Sequence, residues 1–212
     1  MKKAFTLAEV LITLGIIGVI SAMTIPTLIH KYKNDEYIAG MKKSYSVLAQ
    51  ATAQALHDLG LEKFASGTTD GTTAIRNAMK CVASGGPGVQ TGFTNATSCI
   101  LPDGQAITLG YKSSNNTVIY GAAFVDTNGT GTNKRPNLYG KDRWAFLITV
   151  DGRVIPAGNT ISNDEGQAYT YGDTLVNVNN NYTVCTNNNA GTFATAGGCA
   201  GRLVRDNWHI NY

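Results

Sequence analysis

Histidine is scarce in this chain and scattered: His30, His57 and His209 are the three among 212 residues. No Gly-x-Ser-x-Gly and no His-Glu-x-x-His occurs, which removes the serine-hydrolase elbow and the zinc-protease helix. Charge is thin as well. Asp, Glu, Lys and Arg make up 15% and the net charge is +3, which leaves no electrostatic footprint for nucleic acid. No cysteine precedes Cys81, and no Cys-x-x-Cys pair exists, so thiolate zinc sites have no spacing to use. His57 falls on the polar part of a helical stretch and is expected to be solvated. The chain is therefore expected not to be an enzyme and to require no cofactor.

What the sequence does contain is one uninterrupted apolar run. Val10 to Ile29 holds no Asp, Glu, Lys, Arg or His. At the helical rise it makes a rod of roughly 30 Å, the thickness of a bilayer's hydrocarbon core. Lys2 and Lys3 precede it, and Lys31 and Lys33 follow it. A cleaved signal peptide has a shorter apolar core and stops at a small-residue site. Ser21-Ala22-Met23 imitates such a site, but the helical pattern continues past it. Glu9 stands at the head of the run, and a carboxylate there calls for a partner. Lys2 and Lys3 are not three or four residues away, so they are not its helical neighbours. That leaves water and headgroups at the interface, or a positive charge on another molecule.

The stretch Lys3-Ala4-Phe5-Thr6-Leu7-Ala8-Glu9-Val10-Leu11-Ile12 resembles the start of type IV prepilins and of the pseudopilins of type II secretion systems. Residue order, charge placement and apolar length agree over roughly the first 30 residues. Ala4 stands where that family usually has Gly, and Ala8 where it often has Ile or Val. The resemblance implies that a prepilin peptidase cuts between Ala4 and Phe5 and methylates the new amine of Phe5. It implies that Glu9 is neutralised by the amino terminus of a neighbouring subunit, which would set axial register. It also implies that the helix near Pro26 extends during assembly. The expected partners are further copies of the chain, prepilin peptidase, inner-membrane assembly machinery and membrane lipid.

The sequence divides into a leader (1–4), a membrane or filament-core helix (5–29), an amphipathic continuation (30–60) and a globular head (61–212). Ile38, Met41, Tyr45, Leu48, Thr52, Ala55 and Leu59 recur at steps of three and four, one helical stripe, and Gly60 offers a stop. The helix from Phe5 to Leu59 would be roughly 80 Å long. In its first half Pro26, with Gly15 and Gly18, is of a kind that membrane helices tolerate. Beyond Gly60, Asp70 is placed to cap a short helix over Thr72–Lys80, and Ser84–Gly88 reads as loop. Ala106–Tyr111 and Thr117–Val125 flank Lys112–Asn116 as one hairpin. Trp144–Val150 and Arg153–Ile155 flank the two-residue turn Asp151-Gly152 as a second. The fold class is α+β: a pilin-like long helix on a small antiparallel sheet with two disulfide-closed loops. The tail, Ala200–Asn207, is expected to be short helix or extended, with Trp208 and Ile210 tucked into the head.

The four cysteines permit three pairings; Cys81–Cys99 and Cys185–Cys199 are expected, because each pair brackets a Gly-rich loop. Each such closure is worth about 3 kcal/mol in the chain-entropy model. Disulfides imply an oxidising space, so the carboxyl-terminal part is expected outside the cytoplasm with Lys2 and Lys3 inside. One loop carries cation-ligand spacing: Asp126, Asn128 and Thr130 present oxygens at alternate positions, with Gly131 sixth. Asn137 stands where a bidentate Glu would close a calcium loop, and Asp142 is the expected replacement. The resemblance to calcium-binding pseudopilin heads supports that ligand set. A polar loop bonded to its own backbone is the alternative. The function expected is a pilus or pseudopilus subunit. The rival is a monomeric membrane-anchored periplasmic module that binds calcium or glycan.

Overall fold

The structure, a computed structural model, describes residues 6–65, 67–88, 93–112, 119–129, 137–157, 161–162, 168–169 and 198–210. The chain divides into two compact units, Met1–Glu36 and Tyr37–Tyr212. Helix α1, Leu7–Leu59, contributes to both and is helical through Pro26. Proline has no N–H to give the carbonyl four residues back, so this position costs one helical hydrogen bond without ending the helix. In the first unit Leu11, Leu14, Ile16, Ile17, Ile20 and Leu28 are all exposed. They point in every direction around the axis, so this stretch is apolar all round. It is long and apolar enough to cross a membrane.

The second unit begins with the amphipathic part of α1. Met41, Ser44, Leu48, Ala51, Thr52 and Ala55 are its buried residues. This corrects the expected stripe at two points, since Tyr45 and Leu59 are each 39% exposed while Ser44 and Ala51 are buried. The seam is narrower than the apolar pattern, and small residues occupy it where the helix packs on its neighbours. Ser44 is satisfied there: its one hydroxyl proton is shared between the Gly40 carbonyl at 2.9 Å and Gln105 Oε1 at 3.0 Å. At the far end Gly60, with φ +63°, stops the helix. Leu61 N donates to Leu56 O and Gly60 N to His57 O, both at 3.0 Å, the two bonds of a Schellman motif.

Helix α2, Asp70–Ala78, starts earlier than expected and is capped differently. Thr69 occupies the cap position without a side-chain bond, and Asp70 lies in the first turn, where its charge favours the helix dipole. The cap comes from the sheet instead. Tyr120 Oη accepts the Thr72 N–H at 2.8 Å and donates to the Thr68 carbonyl at 2.9 Å. Gly71 makes room for it, because a Cβ there would stand 2.7 Å from Tyr120 Oη and 2.6 Å from Phe64 Cδ1.

Five antiparallel strands form a meander in chain order: β1 Thr94–Ile100, β2 Ala106–Tyr111, β3 Ile119–Asp126, β4 Arg143–Thr149 and β5 Val154–Pro156. Two further short strands, β6 Ile161–Ser162 and β7 Ala168–Tyr169, pair separately. The expected four strands are present within a residue or two, and β1 is additional. Its sequence, Thr-Asn-Ala-Thr-Ser-Cys-Ile, shows no alternation, and tertiary links hold it. Cys99 is bonded to Cys81, as expected, and Ile100 pairs with Ala83. The turn between β4 and β5 is also longer than two residues. Gly152 N donates to Thr149 O and Thr149 N to Arg153 O, so Val150-Asp151-Gly152 form a three-residue loop with Gly152 at φ +81°.

Strands β3 and β4 are buried on both faces, which is why they read as continuous apolar runs. Phe146 packs beside Tyr45 of α1 with ring centroids 6.2 Å apart, and Phe124 meets Phe93 edge-on at 6.0 Å. Full burial of each such side chain contributes roughly 1.5–3 kcal/mol. A last helix, α3 Cys199–Arg205, packs against β4 and β5, and Gly201 N bonds Ala157 O at 2.7 Å. Beyond it Trp208 lies under Lys42, whose Nζ is 4.4 Å from the ring centroid, and Ile210 packs on the core. Cys199 is disulfide-bonded, and Cys185, the partner expected for it, lies outside the described residues.

Candidate functional site

Two polar constellations carry the residues singled out by the sequence. The first heads α1. Ala4 and Phe5, the expected processing point, lie outside the described residues. Thr6 precedes the first helical residue. Its backbone N–H and its hydroxyl both donate to Glu9 Oε2 at 2.8 Å, and Glu9 N donates back to Thr6 Oγ1 at 3.3 Å. This reciprocal pair is a capping box, which satisfies orphan donors of the first turn. Glu9 thus has an intrachain partner that is not a cation. The signal was present as Thr-x-x-Glu ahead of an apolar run. Both donors converge on Oε2, and Oε1 has no hydrogen bond among the described residues. The group is exposed, at the positive end of a helix dipole, with one oxygen available to a further donor.

The second constellation gathers where β3 ends and β4 begins. Asp126 and Arg143 face each other in the ladder, and Arg143 Nε donates to Asp126 Oδ2 at 3.1 Å. Asp126 and Asp142 are both fully buried. Asp142 accepts three N–H groups: Asn137 N and Leu138 N at 2.6 Å each and Asn128 Nδ2 at 2.9 Å. Its carbonyl takes Thr127 N at 2.7 Å and Thr127 Oγ1 at 3.0 Å. Arg143 Nη2 also reaches Asn137 Oδ1 at 3.0 Å. Burial pushes the Asp126 carboxyl up to about 6, against the pull of the Arg143 guanidinium.

The structure therefore brings Asp126, Asn128 and Asp142 together, while Thr130 lies outside the described residues. The fit to calcium is poor. A hard cation wants six to eight converging oxygens, yet here the Asp142 oxygens face N–H donors and Asp126 faces a guanidinium. Asp126 Oδ1 is one of two buried side-chain oxygens, with Asn128 Oδ1, left without a hydrogen bond among the described residues. Among the described residues no group of three or more His, Cys, Asp or Glu is placed to hold a metal. The cluster is built as a polar staple: two buried carboxylates hold the chain on either side of the loop, and Arg143 balances the charge of Asp126. Pro26 stands apart from both constellations, inside α1. His57 is exposed beside Asp58, and His209 Nδ1 lies 2.9 Å from Asn207 O in the last turn. Comparison with protein-family models, with curated proteins and with solved structures finds no match to this chain.

Proposed function

We propose that this chain is a structural subunit of a type IV pilus or a type II secretion pseudopilus. It is cut by prepilin peptidase between Ala4 and Phe5 and methylated on the new amine. It is held in the inner membrane by residues 5–29 with its head on the periplasmic side, and then packed into a fibre through the same helix. The observation that carries this reading is the first part of α1: apolar on every side and exposed, headed by a carboxylate with one oxygen unused among the described residues. Apolar surface of that extent is stable only in lipid or against other helices. An assembled copy supplies both the helices and, through its Phe5 amine, a cation for Glu9 Oε1. In a dry fibre core an unpaired carboxylate costs several kcal/mol, so this pairing would set subunit register. The membrane-anchored monomer remains the rival.

Mass spectrometry of the mature amino terminus separates the two. A methylated Phe5 is expected, whereas an intact Met1 on a solitary membrane protein would sink the fibre reading. The capping box sharpens the mutational test. Glu9→Gln keeps a side chain that serves a capping box and removes the charge. Thr6→Ala removes the cap and keeps the charge. Fibre yield should fall by at least about tenfold in Glu9→Gln, with membrane insertion intact, and much less in Thr6→Ala. The reverse order would show that Glu9 acts only within its own helix.

A further inference from the structure

We propose that Asn128-Gly129 is a deamidation site that the folded polar staple protects, so that conversion of Asn128 to aspartate or isoaspartate marks molecules in which the staple has released. In an Asn-Gly pair the glycine carries no Cβ to obstruct its own nitrogen. The Gly129 nitrogen attacks Asn128 Cγ and the N–Cγ bond forms. The Cγ–Nδ2 bond breaks, and Nδ2 leaves as ammonia with the proton lost from Gly129 N. Water then opens the five-membered imide at either carbonyl, leaving a carboxylate at position 128 on a normal or a lengthened backbone. Water is the sole co-reactant and nothing is oxidised or reduced.

The fold restrains both reacting groups. Asn128 Nδ2 donates to Asp142 Oδ2 at 2.9 Å, which holds the amide toward the β4 side. Gly129 N donates to the Asp126 carbonyl at 3.3 Å, which turns the nucleophile into the turn and away from the side chain. Asp142 is itself fixed by Asn137 N and Leu138 N at 2.6 Å each. Attack therefore requires the staple to release first, and its rate follows the population of a locally open state. The change is also one-way. A carboxylate at 128 would face Asp142 Oδ2 across the distance where the amide now donates, close to the buried Asp126, and like charges at that range repel. An isoaspartate additionally lengthens the chain beside Thr127, whose N–H and hydroxyl bond the Asp142 carbonyl.

The full chain, detergent-solubilised, is incubated at mildly alkaline pH with and without denaturant, and amide-to-acid conversion at position 128 is followed by peptide mass spectrometry. Conversion in the native protein should be at least about tenfold slower than in the unfolded chain. Asp142→Asn, which replaces one acceptor oxygen by an N–H₂ group, should speed native conversion about tenfold while the protein stays folded. Equal rates with and without denaturant would overturn the proposal, and that comparison needs no variant. A folded Asp142→Asn no faster than wild type would overturn it as well. The product mimic Asn128→Asp should melt below wild type, and an unchanged melting temperature would refute the claim that the staple cannot reclose.

Discussion

The two parts of α1 share one backbone conformation and obey opposite rules. From Leu7 to Ile29 the helix carries apolar residues on every side and leaves them exposed; from Tyr37 onward it carries fewer and buries a narrow seam. The difference teaches that apolarity and burial are separate properties. In the second unit the chain supplies its own cover, a sheet with both faces filled. In the first it supplies none, and the cover must come from lipid or from other molecules. Even the polar groups divide this way. Ser44 in the buried seam is bonded to Gly40 and Gln105, whereas Glu9 at the exposed tip is bonded to Thr6 three residues away.

That contrast can be broken most directly by truncating one side chain in each unit. Phe146→Ala should cost about 3–5 kcal/mol of head stability, because it empties a packed site against Tyr45. Ile17→Ala should leave the denaturant midpoint of the head unchanged; a comparable loss in both would show that the first unit is part of the folding core. The next effect is electrostatic. The Asp126 carboxyl rises from 3.8 to about 6 on folding, so between those values the folded state binds the proton that the unfolded chain has lost. Stability carried by this group is thus greatest below about pH 4 and declines as pH rises to about 6, by roughly 2–3 kcal/mol. Subtracting the pH profile of Asp126→Asn isolates that slope, and a profile unaltered by the substitution would refute it.

A smaller effect tests whether the sheet serves the helices. Tyr120→Phe removes the oxygen that caps α2 and should cost about 1–3 kcal/mol in thermal unfolding, with α2 amides exchanging faster than the rest. Uniform exchange across the head would mean that the hydroxyl matters only as packing. The smallest expected effect is that of a chelator. If the second unit is held by its own N–H donors and Arg143, EDTA should move its melting temperature by less than about 1 °C. A larger drop would restore a cation to the loop around Asp126.

Several elements could be read from residue order alone. Ala106–Tyr111 is a strand at the expected bounds, Gly60 stops α1, and Cys81 pairs with Cys99. The misses share a cause. Strand β1 has no alternating pattern because β2 on one side and the Cys81–Ala83 segment on the other hold it in place. Ser44 and Ala51 lie in the seam because small side chains allow close approach, which an apolar count ignores. The cap of α2 comes from Tyr120, 48 residues downstream of Thr72, beyond the reach of any local rule. Thr6 and Glu9 form a capping box that Thr-x-x-Glu alone specifies, because both residues belong to one helical turn.

Residue order by itself determined the membrane-length apolar rod and its single carboxylate, because each depends only on composition and spacing within one segment. Tertiary structure alone decided which side chains of α1 are buried, who caps α2, and that Asp126, Asn128 and Asp142 close on each other around Arg143. Those outcomes depend on surfaces contributed by segments far apart in the chain, and burial and hydrogen bonding act on whatever the fold brings within a few ångströms.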